Sequence, residues 1–136
     1  MTEGLSHITF ICRDLDRMEE ILTRVLLARK IYDSEGEGFS LSPERFFDIG
    51  GIWVAVMQGD ALPARSYNDT AFKIADADYD ARLAAIRALG LELRESRPRV
   101  AGEGRSIYFH DEDNHLFELH TGTLAERLAR YGQGRA

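Results

Sequence analysis

Two stretches of the chain, Leu5–Cys12 (LSHITFIC) and Tyr67–Ile74 (YNDTAFKI), share one pattern, and together they decide the fold. Each reads as a half-buried β-strand and leads into acidic residues and a helical pattern. Self-similarity at this spacing indicates two small modules of the same architecture. When the two stretches are aligned, His7 and Asp69 occupy equivalent, inward-facing positions.

The rest of the chain repeats the order βαβββ. The first repeat, about residues 4–59, is expected to continue with a helix over Leu15–Leu27 and strands over Lys30–Tyr32, Arg45–Ile49 and Ile52–Met57. The second, about residues 66–122, is expected to contain a helix over Tyr79–Leu89, strands over Leu91–Arg94, Ser106–Phe109 and His115–His120, and a hairpin turn over His110–Asn114. A closing helix is predicted for about residues 123–131.

The predicted fold class is α+β. A curved sheet with a single helix cannot bury both of its faces, so two βαβββ modules should pair across a cleft within one domain that spans residues 1–136. We expect a second chain to complete the assembly as a homodimer.

Composition limits the possible functions. The 136 residues are 44% hydrophobic and 29% charged, with a net charge of -6 and a pI near 5.2, which disfavours a nucleic-acid binder. No apolar run approaches the roughly 20 residues that span a bilayer, and the N-terminus lacks a signal-peptide pattern. We expect a cytoplasmic protein without a membrane partner. Cys12, the only cysteine, is interpreted as a buried core thiol.

A third inward-facing polar residue suggests a metal site. In Asn114–His120 (NHLFELH), strict alternation places Glu118 on one face of a strand, where a carboxylate needs a partner. Together with His7 and Asp69 it offers one imidazole and two carboxylates, a set that favours Mn²⁺ or Mg²⁺ over zinc or copper. Mn²⁺ is the preferred assignment. The alternative is structural: a hydrogen-bonded core histidine, an edge acid, and a glutamate paired with an arginine.

Three more histidines lie near Glu118 in the sequence. His115 falls on the opposite face of the strand, and His110 is predicted to lie in the hairpin turn, so neither is expected to bind the ion. His120 shares the face of Glu118 and is expected to support that ligand.

Several stretches resemble the vicinal oxygen chelate superfamily and, within it, the fosfomycin resistance proteins of the FosX type. The resemblance covers nearly the whole chain, and its most specific segments run from Asp113 to Gly122 and from Thr123 to Leu128. The other matching segments are Gly4–Phe10, Phe39–Ser42, Ile52–Gly59, Arg65–Asn68 and Gly102–Phe109.

This resemblance implies a homodimer whose manganese ion polarises the epoxide antibiotic, with water opening the ring and Glu44 matching the general base. Relatives that use a glutathione or other thiol nucleophile form the competing class, and Glu44 points to water. From the residues alone, Glu44 could equally be a solvated acid paired with Arg45, and Trp53 could be core. The expected substrate-binding residues are Thr9, Trp53, Tyr67, Arg99, Ser106, Tyr108 and Arg127.

The chain departs from the family at Asp69, where its members carry histidine. Aspartate is shorter and adds negative charge, which lowers the Lewis acidity of a bound ion. Three functions therefore stay open: a metal-dependent epoxide hydrolase acting on fosfomycin, a thiol transferase on the same scaffold, and a non-catalytic module that binds a small ligand.

Overall fold

A computed structural model describes residues 1–36, 41–95 and 102–133 of the chain. It divides into two compact units, Met1–Pro63 and Ala64–Ala136. Each contains a four-stranded mixed sheet with helices, which confirms the α+β class. Within the described ranges, no helix has the length and apolar character needed to cross a bilayer.

The first unit has the order βαβββ. Its elements are β1 (His7–Cys12), α1 (Leu15–Val25), β2 (Arg29–Asp33), β3 (Glu44–Ile49) and β4 (Ile52–Gln58). The strand order is β1-β4-β3-β2, with β1 parallel to β4 and the other pairs antiparallel.

The second unit repeats that topology strand for strand. Its elements are β5 (Asp69–Lys73), a 3₁₀ turn (Asp76–Asp78), α2 (Tyr79–Ala88), β6 (Glu92–Arg94), β7 (Ser106–His110), β8 (Leu116–His120) and α3 (Leu124–Gln133). The order is β5-β8-β7-β6, and β5 runs parallel to β8. The duplication predicted from the two opening strands is therefore confirmed.

Helix α1 shows how local chemistry sets an element's limits. The Asp14 side chain caps its start by accepting a hydrogen bond from the Arg17 backbone N–H at 3.1 Å. The helix ends at Val25, earlier than predicted, because Leu27 adopts a φ of 55°, which no residue of a right-handed helix can take. Its apolar stripe is buried at Met18 and Leu22, among others, and α1 packs on β4.

Successive side chains point to opposite faces of each sheet, and the aromatic core residues lie on one of these faces. In the first unit Phe10, Phe47 and Val54 are buried on the face that α1 covers. In the second unit Phe109 and Phe117 stack with ring centroids 5.2 Å apart. Burial of each such phenylalanine contributes about 1.5–3 kcal/mol. The opposite faces are left to the polar residues discussed below.

Two sequence predictions on strand limits are wrong. Tyr67 precedes β5 instead of belonging to it, because the Asn68 backbone N–H turns to donate to Ser66 Oγ at 3.0 Å. His110 is the last residue of β7 and not part of the hairpin turn. The turn begins at Asp111, whose side chain accepts from the backbone N–H groups of Asp113 and His115 at 3.0 and 2.9 Å.

Candidate metal and substrate site

The face of the second sheet opposite its aromatic core carries a pair of carboxylates. Glu118 lies on β8 beside Ala71 of β5, and Asp69 starts β5 opposite Leu116, so the two acids sit diagonally on neighbouring strands. A hydrogen bond with Glu118 raises the pKa of Asp69 to about 6, and burial and the Glu118 charge act in the same direction. Two carboxyl groups this close form an oxygen set whose negative charge a hard cation would neutralise.

Glu118 keeps its charge because neighbours donate to it. Burial works against ionisation, but donors at Asp69, Ser106 and Tyr108, together with the field of His120, lower the pKa of Glu118 below its usual value. The Ser106 hydroxyl donates to Glu118 Oε2 at 2.7 Å. These contacts confirm that Ser106 and Tyr108, predicted to share one face of β7, point toward Glu118.

His120 extends this chain of polar groups. Its Nδ1 lies 2.7 Å from Ser106 Oγ and 3.6 Å from Glu118 Oε2, and its Nε2 lies 3.3 Å from Arg127 Nη2. With the guanidinium donating to Nε2 and Ser106 Oγ donating to Glu118, Nδ1–H donates to Ser106. His120 is thus placed to support Glu118, and Arg127 of α3 is tied to the same group.

Gly122 leaves room for the His120 side chain. A Cβ on Gly122 would lie 2.8 Å from His120 Nε2 and 2.7 Å from the carbonyl oxygen of Glu103. Only a residue without a side chain fits at that approach. No local sequence pattern indicates this packing, since the contact depends on how the chain leaves β8.

The first sheet presents a different face. His7 is exposed at the start of β1, its Nδ1 2.9 Å from Ser6 Oγ, and its ring stacks on Trp53 with centroids 4.2 Å apart. Trp53 in turn meets Phe46 edge-on at 5.2 Å, and Phe46 meets Tyr32 at 4.9 Å. Trp53 is 39% exposed, so it belongs to this aromatic row and not to the buried core.

Glu44 starts β3 on the same face as Phe46, and it is buried at 8% exposure. Among the residues that the structure describes, its carboxylate has no hydrogen-bond or ion-pair partner. The predicted alternative, pairing with Arg45, is not what the fold provides. Alternation turns Arg45 away, and its guanidinium contacts Asp16 at 2.8 Å and both Glu19 and Asp33 at 3.1 Å.

The remaining predicted residues fall in different places. Thr9 is exposed two residues after His7 on the same face of β1, and Tyr67 is 87% exposed just before β5. Arg99 lies outside the described residues. Arg105 is engaged elsewhere, with Asp76 at 2.8 Å and the Tyr79 ring at 3.9 Å.

A cavity of about 260 Å³ opens beside Asp69, lined also by Tyr67, Arg94, Tyr108 and Leu116 among others. No cluster of three or more potential metal-binding side chains occurs within residues 1–36, 41–95 and 102–133 of one chain. Asp69 and Glu118 lie in the second unit and His7 in the first, so the three-ligand set stays a prediction.

Comparison with known proteins gives a consistent result. A sequence model described as Glyoxalase/Bleomycin resistance protein/Dioxygenase superfamily matches residues 4–119. The chain is 63% identical over 134 residues to the fosfomycin resistance protein FosX of Mesorhizobium japonicum, covering 98% of this chain and 96% of the relative. It is 52% identical over 131 residues to FosX of Listeria monocytogenes, covering 96% and 98%.

One solved structure of a relative contains bound ligands. A mutant of the Listeria monocytogenes FosX was crystallised in complex with Mn(II) and 1S,2S-dihydroxypropylphosphonic acid. It superposes on this chain with a TM-score of 0.86 at 50% identity, covering 96% of this chain and 99% of that one.

Proposed function

Since this chain belongs to the glyoxalase/bleomycin resistance protein/dioxygenase superfamily, we propose that it is a Mn²⁺-dependent hydrolase that inactivates fosfomycin by adding water to its oxirane ring. The observation that carries the proposal is the carboxylate pair of Asp69 and Glu118, which lie diagonally on neighbouring strands, with Ser106 donating to Glu118. The diol phosphonate bound to the Listeria relative is the compound that water addition to an epoxypropyl phosphonate produces.

We assign the ion to Asp69, Glu118 and His7. The residues of the second unit fit a hard cation because they offer carboxylate oxygens from two neighbouring strands, and the hydrogen bond with Glu118, burial and the Glu118 charge all raise the pKa of Asp69. When bound, Mn²⁺ supplies positive charge that stabilises the oxygen released from the ring. His120 and Ser106 keep Glu118 oriented and charged, which is the usual task of groups behind a metal ligand.

Glu44 is the proposed general base. Its carboxylate takes a proton from water as the water oxygen bonds to a ring carbon, the bond from that carbon to the ring oxygen breaks, and the resulting alkoxide takes up a proton. A buried carboxylate without a partner is suited to this exchange, because no ion pair competes for the proton. Water needs such a base, whereas a thiol ionises more easily, so Glu44 favours hydration over thiol transfer.

The phosphonate requires cations and hydroxyls, which bind its oxygens by charge-assisted hydrogen bonds. Ser106 and Tyr108 contact Glu118, and Arg127 contacts His120. These three residues are proposed to hold the phosphonate, with Arg99, Tyr67, Thr9 and Trp53 as further contacts. The Trp53 ring beside His7 offers an apolar wall for the methyl group of the substrate.

The deciding assay is ³¹P NMR of fosfomycin with the protein and Mn²⁺, with and without glutathione. Formation of the diol in both samples supports the hydrolase, and a thiol adduct only in the glutathione sample would replace it with a transferase. Absence of turnover together with no Mn²⁺ retained after desalting would indicate the non-catalytic module.

We also propose a homodimer. The exposed side of α3 carries apolar side chains at helical spacing, with Leu124 72%, Leu128 58% and Tyr131 45% exposed, a face suited to contact another chain. Light scattering should give twice the chain mass of 15.4 kDa. A monomer at micromolar concentration would reject the dimer.

In a dimer, the His7 that completes a site could come from the chain that supplies Asp69 and Glu118 or from the partner chain. Mixing inactive His7→Ala and Glu118→Ala proteins under conditions of subunit exchange separates them. Sites shared between chains regain activity, because a mixed dimer contains one site with both residues intact. Sites built within one chain stay inactive.

A further inference from the structure

A second cavity of about 450 Å³ in the Ala64–Ala136 unit shares Tyr67 and Arg94 with the cavity beside Asp69 and extends to His110, which has no role in the proposed hydration reaction. It lies at the β6 edge of the sheet, and the residues of its lining that matter here are Arg65, Tyr67, Glu92, Leu93, Arg94 and His110. Its volume falls within the range of roughly 300–1,000 Å³ that is usual for small-molecule sites.

The cavity is lined by the imidazole of His110, which makes no hydrogen bond within the described part of the chain. His110 is 5% exposed, and neither ring nitrogen has a hydrogen-bond partner among the described residues. The nearest acidic oxygen, Glu92 Oε2, lies 3.6 Å from Nδ1 and is already paired with Arg65. A buried polar group left without a partner costs stability, so its presence at a cavity points to a ligand that satisfies it.

The charges at the rim favour an anion. Arg65 and Glu92 compensate each other, which leaves Arg94. Within the described part of the chain no carboxylate pairs with Arg94, and its guanidinium lies over the Tyr67 ring at 5.4 Å. Arg94 is opposite Tyr108 and Glu92 is opposite His110, so Arg94 and His110 are diagonal neighbours on one face of the sheet.

We propose that this cavity binds an aromatic monocarboxylate, whose carboxylate accepts hydrogen bonds from Arg94 and His110 and whose ring rests against Tyr67. One negative charge matches the single uncompensated guanidinium. Burial, followed by the field of Arg65, lowers the pKa of His110, so the imidazole is neutral at pH 7 and donates from one nitrogen. His110 itself does not line the cavity beside Asp69, so its ring signals report on this cavity.

The test is titration of the full chain, without added metal, with benzoate while the ¹H–¹⁵N signals of the His110 ring are followed by NMR. We expect saturable shifts, with binding weakened roughly tenfold or more in Arg94→Gln through loss of the charge-assisted bond. Arg87→Gln is the matched control, since Arg87 is exposed on α2 and outside the lining; it should leave the Kd unchanged.

Two further probes separate the parts of the ligand. Benzyl alcohol, with the ring but no charge, and acetate, with the charge but no ring, should each bind at least tenfold more weakly than benzoate. His110→Phe should remove benzoate binding while the protein stays folded by circular dichroism. Unmoved His110 signals with benzoate, or an unchanged Kd in Arg94→Gln, overturn the site, and equal binding of either truncated probe overturns the ligand class.

Discussion

The two modules have the same strand order but carry different chemistry on equivalent positions. Where the first sheet has Ala55 at its centre, the second has Glu118, and where the first has Trp53, the second has Leu116. Glu44 in turn occupies the position that Ser106 holds in the second sheet. One module thus carries an imidazole, exposed aromatic side chains and the buried carboxyl group of Glu44, and the other carries two neighbouring carboxyl groups.

This difference teaches why duplication suits such a site. A repeat fixes the backbone positions. Each copy can then carry some of the polar and charged residues of the proposed site, so that they are not all buried in one sheet. In the second unit, the hydrogen bond with Glu118 and burial already raise the pKa of Asp69 to about 6. Adding Glu44 and the His7 ring to the same sheet face would raise the cost of burial further.

The strongest test removes one ligand from each module. Glu118→Gln keeps the shape but removes the charge, and we expect Mn²⁺ affinity to fall by about 100-fold or more, since even groups behind a ligand are worth 10–100-fold. His7→Ala should cause a comparable loss. Isothermal titration with Mn²⁺ measures both, and Glu112→Gln, an exposed acid of the second unit, is the control. Normal affinity in His7→Ala alone would confine the ion to the second module.

The base belongs to the first module only, and Glu44→Gln tests that assignment. Glutamine keeps size but cannot take a proton, so diol formation should fall by about 10²–10⁴-fold while Mn²⁺ and substrate still bind. Single-turnover rates at saturating Mn²⁺ give the value, with Glu20→Gln of α1 as the control. Wild-type rates would mean that Glu44 is a structural acid.

The Asp69 position tests how far the two modules have diverged, because its equivalent in the first module is His7. Asp69→His restores a neutral ligand, removes one of two adjacent carboxylates and should raise kcat/KM for fosfomycin by about tenfold, or about 1.4 kcal/mol of barrier. Steady-state kinetics with Mn²⁺ checks this. A fall in kcat/KM would show that the site has adapted around aspartate.

The smallest expected effect concerns stability. His110, equivalent to Asp48 of the first sheet, is buried without a hydrogen bond, so His110→Phe should raise the free energy of unfolding by about 1 kcal/mol. Urea unfolding at pH 7.5 measures it. A loss of stability in the absence of ligand would show that the imidazole has a structural role.

The same variant should change the pH dependence. The pKa of folded His110 lies below its usual 6.5, so on acidification the unfolded chain takes up the proton first. Wild-type stability from this group is complete above pH 6.5 and is lost as pH falls toward the folded pKa, whereas the phenylalanine variant lacks this loss. The advantage of the variant should therefore be larger at pH 5.5 than at pH 7.5. Other groups titrate in both proteins and cancel in the difference.

The sequence by itself determined the duplicated α+β fold, because apolar periodicity is a local property and recurs in both halves. It also placed Ser106 with Tyr108 on one face of their strand and Glu118 with His120 on one face of theirs, since alternation along a strand needs no knowledge of its neighbours. The tertiary structure decided what lies side by side across strands. Sheet register set Asp69 diagonal to Glu118 and Trp53 beside His7, and the packing of α1 brought Asp16 and Glu19 to Arg45. The cavity over His110 was missed for the same reason: its lining comes from three separate segments whose proximity depends on long-range pairing, which no local pattern encodes.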